Sequence, residues 1–227
     1  MRLVAGGGGF IFAMAIAAAC VRDSDAQVAS DRRKPVVADD TASLAWVLRA
    51  VRGADPLLCE LTVRQVDMHG WWSNWGPLGD SPIEGDSAAA NVIRWIQHDH
   101  NDPAVVPRLS ASLRDSDACV RRIAGAFLGR VKHPSAVAAL LSAIDDASAE
   151  TRYVAAIGLG LAEAPESQSA LVRRLRDDSP AVRRASAWAL GALEAQSALP
   201  ALIAALERDP DPRVRQTAAW AIGRSHD

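Results

Sequence analysis

In the second half of the chain, one pattern of apolar and polar residues recurs at a fixed long interval. Around Leu140, the apolar residues Val137, Leu140, Leu141 and Ile144 fall at i, i+3, i+4 and i+7, the spacing that places them along one face of a helix. Matching leucines recur at a constant interval, as Leu109, Leu140, Leu171 and Leu202. The pattern therefore predicts four amphipathic helices, called here the Leu-motif helices.

A second motif is interleaved with the first. Its last copy reads Asp-Pro-Arg-Val-Arg-Gln-Thr-Ala-Ala-Trp-Ala-Ile-Gly over residues 211–223. An Asp or Ser before each copy is a favoured N-cap, and the closing glycine fits a left-handed C-cap. The arginines and the closing glycines keep the interval of the leucines, with a single extra position before the last copy: Arg121, Arg152, Arg183 and Arg215, then Gly129, Gly160, Gly191 and Gly223. These segments predict a second set of helices, the Arg-motif helices. No window shows the alternation of a strand, and a fixed period of this length indicates a helical repeat protein.

The paired motif resembles the HEAT-repeat family, specifically the short bacterial HEAT-like repeats also found in phycobilisome lyases. The resemblance implies an all-α fold, a right-handed α-α superhelix (HEAT-like solenoid) of about 4–5 helix pairs over residues 86–227. It further implies that the Arg-motif helices lie on the convex side and the Leu-motif helices on the concave side. In such repeats the recurrent arginine ties neighbouring repeats together, which gives Arg121, Arg152, Arg183 and Arg215 a structural role.

Upstream of the clear repeats, residues 41–85 predict a divergent N-terminal helical cap. Residues 68–85 form an insertion without helical periodicity that carries Trp71, Trp72 and Trp75. Long irregular segments inside domains are usually functional or disordered, and three indoles argue against disorder. Either the tryptophans cover the first helices as a lid, or they present a contact surface for a partner.

The first residues have the pattern of an export signal. A charged start, an uncharged apolar stretch and three alanines precede Cys20, so residues 1–19 are predicted to be a signal peptide. Cys20 resembles the lipid-modified cysteine of bacterial lipoproteins, although Ala17 stands where a leucine is usual; cleavage without lipidation is the alternative. Residues 20–40 lack periodicity and predict a flexible tether. The protein is then periplasmic or a membrane-tethered lipoprotein, contacting the membrane only through Cys20.

Charge and motif content exclude several classes of function. The 25 basic and 27 acidic residues give a net charge of −2, which disfavours a nucleic-acid partner. His98 and His100 lack a third ligand at any recognised spacing, so neither a metal nor a cofactor is predicted. No catalytic motif is present, and no histidine precedes a glutamate as in deoxyhypusine hydroxylase, a HEAT-repeat enzyme. Cys59 and Cys119 are expected to be free thiols, because stacked repeats should hold them too far apart to pair.

These observations predict a non-enzymatic exported scaffold that binds a protein or peptide of the cell envelope along the concave face. Candidate contacts are the tryptophans of the insertion and a basic cluster on a Leu-motif helix, namely Arg173, Arg174 and Arg176. End-to-end self-association near Trp220 and Ile222 is one alternative. A lyase-like, chromophore-handling protein is another.

Overall fold

The computed structural model describes residues 44, 45, 47–49, 51–53, 59, 102–131 and 133–225. The chain divides into two compact units between positions 98 and 99. In the first unit, residues 44, 45, 47–49 and 59 are helical. Leu44, Val47, Leu48 and Val51 are buried there, as the apolar pattern within residues 41–52 predicts.

The described residues of the second unit form four consecutive helix pairs and include no strand. Each pair joins one Leu-motif helix to one Arg-motif helix. The pairs are α1 (Val106–Ser112) with α2 (Ala118–Arg130), α3 (Pro134–Ala143) with α4 (Ala149–Leu161), α5 (Gln168–Arg174) with α6 (Pro180–Ala192), and α7 (Leu199–Arg208) with α8 (Pro212–Arg224). The all-α repeat fold predicted from the sequence is confirmed.

Three of the four polar residues before the Arg-motif helices cap them as expected, whereas Ser179 before α6 makes no capping side-chain hydrogen bond. The carboxylate of Asp117 accepts the backbone N–H groups of Cys119 and Val120 at the start of α2. Ser148 and Asp211 cap α4 and α8 in the same way. Each cap satisfies a backbone donor that the helix itself leaves without a partner.

The closing glycines are not C-caps, and that prediction is wrong. Gly129, Gly160, Gly191 and Gly223 lie inside the last turn of their helices, and none has a positive φ. The left-handed residues are instead Glu163 and Glu194, which follow α4 and α6. A Cβ on Gly160 would lie 2.7 Å from Cζ3 of Trp188 and 2.9 Å from Cα of Ala189. Glycine is therefore required where the next repeat approaches the helix backbone.

The two sets of helices stack with different spacing. α2 packs closely on α4, α4 on α6 and α6 on α8, whereas the backbones of successive Leu-motif helices approach one another much less closely. Stacked layers that are closer on one side curve toward that side, so within this unit the Arg-motif helices line the inner, concave side. The assignment of the Leu-motif helices to the concave side is therefore wrong. The close approach of α4 to α6 at Gly160 is its physical cause.

Candidate functional site

The repeated arginines form a regular ladder along the repeats. In each, the Nη1 group donates to two backbone carbonyls that lie six and five residues upstream, at distances of 2.7–3.3 Å. The ladder comprises Arg121, Arg152, Arg183 and Arg215. These bonds fix the loop that joins the two helices of each repeat.

Two ladder arginines also form hydrogen bonds with an aspartate of the following repeat. Nε and Nη2 of Arg152 donate to the two carboxylate oxygens of Asp177, both at 2.8 Å. Arg183 holds Asp209 through the same atoms, at 2.7 and 2.8 Å. Such paired, charge-assisted bonds between nearly buried groups are strong and directional. The structural role that the resemblance implies for the ladder fits this geometry.

The pairing shifts the acidity of both partners. Hydrogen bonds from Arg183 lower the pKa of Asp209, and they outweigh the opposite effect of burial. Burial acts to raise the pKa of Asp177, but hydrogen bonds from Arg152 and from the Ser179 N–H outweigh it, so that pKa also lies below its usual value. Hydrogen bonding to Asp209 correspondingly raises the pKa of Arg183.

Arg121, the first arginine of the ladder, departs from this pattern. Asp146 stands where a partner for Arg121 is expected, but its carboxylate accepts Nε of Arg114 at 2.7 Å. An open cleft of about 480 Å³ lies beside Arg121 and Asp146. It is lined by Arg114, Asp115, Arg121, Asp146, Ser148, Glu150 and Thr151. The two guanidinium groups face three carboxylates, so the cleft has no net positive charge with which to hold an anion.

The predicted basic cluster is largely neutralised within the chain. Arg174 is hydrogen-bonded to Asp145 and, at 3.2 Å, to Asp177. Arg173 lies 3.5 Å from the same Asp145 carboxylate. Arg176 is exposed. The role of these three arginines in partner binding stays a prediction, and it now depends mainly on Arg176.

A second set of side chains reaches solvent from the inner side of the stack. The partly exposed positions of α4, α6 and α8 fall at intervals of three or four residues and form two rows. We call this set the inner stripe: Tyr153, Arg184 and Gln216 in one row, and Ile157, Trp188 and Trp220 in the other. Trp188 and Trp220 rest on Gly160 and Gly191 of the preceding repeat. The stripe thus combines aromatic, aliphatic and arginine side chains on a rigid surface.

Several predicted residues lie outside the described part of the chain. These are the signal and tether with Cys20, the insertion with Trp71, Trp72 and Trp75, and His98 and His100. Within the described residues, no group of three or more His, Cys, Asp or Glu side chains is placed to hold a metal ion. The same residues contain no helix long and apolar enough to span a membrane.

The expectation for the cysteines is wrong, because Cys59 and Cys119 are each disulfide-bonded. The distance argument assumed that regular stacking extends to residue 59, whereas the described repeats begin at α1. Bonded cysteines are a form that persists in oxidising compartments.

Sequence reasoning missed two sets of side chains that recur in the same register. The aspartates that serve the ladder recur in step with the arginines, as Asp115, Asp146, Asp177 and Asp209. Their side chains each accept the backbone N–H two residues on. The inner stripe could also have been predicted from the sequence, because its two rows lie at fixed distances after each ladder arginine. It was overlooked because the wrong helices were assigned to the concave side.

A comparison with known protein families agrees with this architecture. Residues 137–223 match the model of the family described as HEAT repeats, which confirms the HEAT-repeat resemblance for that segment. Among solved structures, the chain is similar to human deoxyhypusine hydroxylase in complex with glycerol. The identity is 19%, the alignment covers 95% of this chain and 96% of that one, and the TM-score is 0.47. A likeness at this level gives no information about activity in this protein. No curated protein matches the sequence.

Proposed function

We propose that the protein is an exported, non-enzymatic scaffold that binds a partner protein or peptide along the inner side of its HEAT repeats. The observation that carries the proposal is the inner stripe. Tyr153, Arg184, Trp188 and Trp220 are residue types enriched at the energetically dominant centres of protein interfaces. Their backbone positions are fixed by the arginine ladder, so little conformational freedom would be lost on binding.

The proposed compartment is the bacterial envelope. The signal-like residues 1–19 and the position of Cys20 support export and lipid anchoring. The bonded state of Cys59 and Cys119 supports an oxidising compartment. Neither feature is needed for a scaffold in the cytosol.

Export is tested by fractionating cells that express the wild-type chain or Cys20→Ala, with a labelled fatty acid in the medium. We expect the wild type to be labelled and membrane-bound. The variant is expected to be unlabelled and released from the membrane. A wild-type chain that stays unlabelled in the cytosol would contradict the proposal.

The binding surface is tested by placing a photo-crosslinking residue at either of two exposed positions, Gln216 on the inner stripe and Arg176 after α5. We expect a defined adduct in envelope extracts from position 216 and none from position 176. Excess unlabelled wild type should suppress the adduct, whereas a chain carrying Trp188→Ala and Trp220→Ala should not. Adducts only from position 176 would move the site to the Leu-motif helices, and adducts from neither would refute the scaffold.

A further inference from the structure

The middle of the inner stripe lies on α4 and α6. Its side chains are Tyr153 and Ile157 on α4 and Arg184 and Trp188 on α6, and all four are partly exposed. A described repeat packs against each of these two helices on either side. This part of the stripe is therefore a surface of the stack itself and not one of its ends.

Arg184 differs from the other two arginines of these helices. Arg152 and Arg183 use their guanidinium groups on backbone carbonyls and on an aspartate of the next repeat. Among the described residues, no carboxylate or carbonyl oxygen accepts a hydrogen bond from Arg184. A planar guanidinium edge matches a carboxylate through two parallel hydrogen bonds, so an acidic group is a ligand that fits it.

The groups beside Arg184 combine apolar surface with a second hydrogen-bond donor. Trp188 follows Arg184 by four residues, so the two side chains are neighbours on one face of α6. The ring of Trp188 packs so closely on Gly160 that its Cζ3 would lie 2.7 Å from an added Cβ, and Ile157 is one helical turn before that glycine. Tyr153 has the register position of Arg184, and no described residue forms a hydrogen bond with its hydroxyl.

Charge is distributed unevenly over the layer of Arg-motif helices. α2, α6 and α8 contain arginines and no acidic residue, and Glu150 is the one acid of α4. Glu150 lies in the first turn of its helix, where it accepts a hydrogen bond from Ser148. The ladder aspartates lie in the loops before these helices, where backbone N–H groups donate to their carboxylates. The surface between these loops is therefore basic, which favours an acidic partner.

The spacing along α6 indicates the form of that partner. Arg184 and Trp188 are four residues apart, which corresponds to about 6 Å along a helix axis. In an extended segment, side chains two residues apart lie on one face at a separation of about 7 Å. We propose, on the basis of the scaffold function above, that the middle of the inner stripe binds an extended acidic segment of a partner protein. One carboxylate of the segment bonds Arg184, and a large apolar side chain two residues away packs on Trp188 and Ile157.

A nucleic acid fits the same surface less well, although its phosphates also suit a guanidinium edge. Binding of a nucleic acid depends on several cations that follow the phosphate backbone, together with bases stacked on aromatic rings. On α4 and α6, the ladder uses the other two arginines, which leaves Arg184 as the single cation beside Tyr153 and Trp188. One cation next to apolar surface matches one carboxylate flanked by an apolar residue.

The test selects short random peptides displayed on phage against the full chain and measures the most enriched peptide by fluorescence anisotropy. We expect the enriched peptides to carry Asp or Glu two residues from Trp, Phe or Leu. Arg184→Gln should weaken binding about tenfold or more, as should replacing the acid of the peptide with its amide. Combining the two changes should cost little beyond either alone, because both remove the same pair. The matched control, Arg176→Gln, alters an exposed arginine outside the inner stripe and should leave the affinity unchanged.

Arg184→Glu provides a second variant, whose expected gain of binding cannot result from unfolding. It should reject the acidic peptide and bind a peptide in which arginine replaces the acid at the same position. Unchanged far-UV circular dichroism verifies that each variant keeps its fold.

Failure of this inference differs from failure of the scaffold function. Enrichment of apolar peptides without acids, or equal affinities of Arg184→Gln and Arg176→Gln for the enriched peptide, would overturn the acidic segment and leave the scaffold in place. Tighter binding of an oligothymidylate than of the peptide would overturn it in favour of a nucleic acid. If no peptide is enriched and position 216 gives no crosslinked adduct, the scaffold function fails and the inference fails with it.

Discussion

The contrast between Gly191 and Gly223 offers a direct test of the stacking geometry. The two glycines hold the same register position in successive Arg-motif helices, but only Gly191 is covered by another repeat. Replacing either with alanine adds one methyl group inside a helix. We expect Gly191→Ala to destabilise the protein and Gly223→Ala to leave it unchanged or to stabilise it.

The magnitude follows from two opposing terms. Alanine is favoured over glycine within a helix by up to about 1 kcal/mol, and this gain applies to both variants. At Gly191 the new Cβ would lie 2.6 Å from Cζ3 of Trp220 and 2.8 Å from Cα of Ala221. Overpacking of this kind costs about 1–3 kcal/mol. The upper end applies at this site, because Ala221 Cα belongs to the backbone and cannot swing away. The difference between the two variants isolates this cost, and we expect about 2–3 kcal/mol.

Urea unfolding followed by far-UV circular dichroism measures the free energy of unfolding of both variants and the wild type. Comparable slopes against urea concentration would show that the two variants expose similar surface on unfolding. If Gly191→Ala and Gly223→Ala stabilised the protein equally, α8 would not press on α6 at this point. Close packing between repeats would then not account for the recurrent glycine.

Three further outcomes are expected. Asp209→Asn should cost about 3 kcal/mol at neutral pH, because it strips a nearly buried Arg183 of its partner. Since the pKa of Asp209 is lowered in the folded state, its contribution is complete above the ordinary carboxyl value of about 3.9 and is lost as pH falls through the folded-state pKa. Urea midpoints from neutral to acid pH should therefore decline less in this variant than in the wild type. Thiol titration of the unfolded chain should find Cys59 and Cys119 unreactive until a reductant is added; reaction beforehand would contradict the bonded state. Ser186→Ala should raise the free energy of unfolding by about 1 kcal/mol, because the buried Ser186 Oγ has no hydrogen-bond partner among the described residues. A loss of stability would indicate that this hydroxyl is satisfied.

The sequence was sufficient to predict the helices and their pairing, because both depend on local periodicity. The buried leucines, such as Leu140 and Leu171, and the N-cap at Asp117 are where the pattern places them. The way in which one repeat stacks on the next was harder to predict from the sequence. Gly160 has the same local signature whether it caps a helix or admits the neighbouring Trp188, and only the packed arrangement separates the two roles.

The candidate site was harder to predict for the same reason. The side of the stack that is concave depends on how closely successive helices approach one another. That spacing is set by glycine and alanine contacts between repeats, not by the amphipathic pattern within one helix. The basic cluster at Arg173 and Arg174 looked available in sequence, but Asp145 on the preceding repeat neutralises it.

The carboxylate of Asp177 has a consequence for the order in which the protein opens. It bonds Arg152 of the preceding repeat, Arg174 of its own repeat and the N–H of Ser179 before α6. Separating the two repeats leaves the nearly buried guanidinium of Arg152 without its carboxylate partner. Opening events should therefore begin in α8, whose ladder arginine holds no carboxylate of the described residues, and advance repeat by repeat toward α4. Amide protection would then rise in steps along the chain, with each step located at one arginine–aspartate pair.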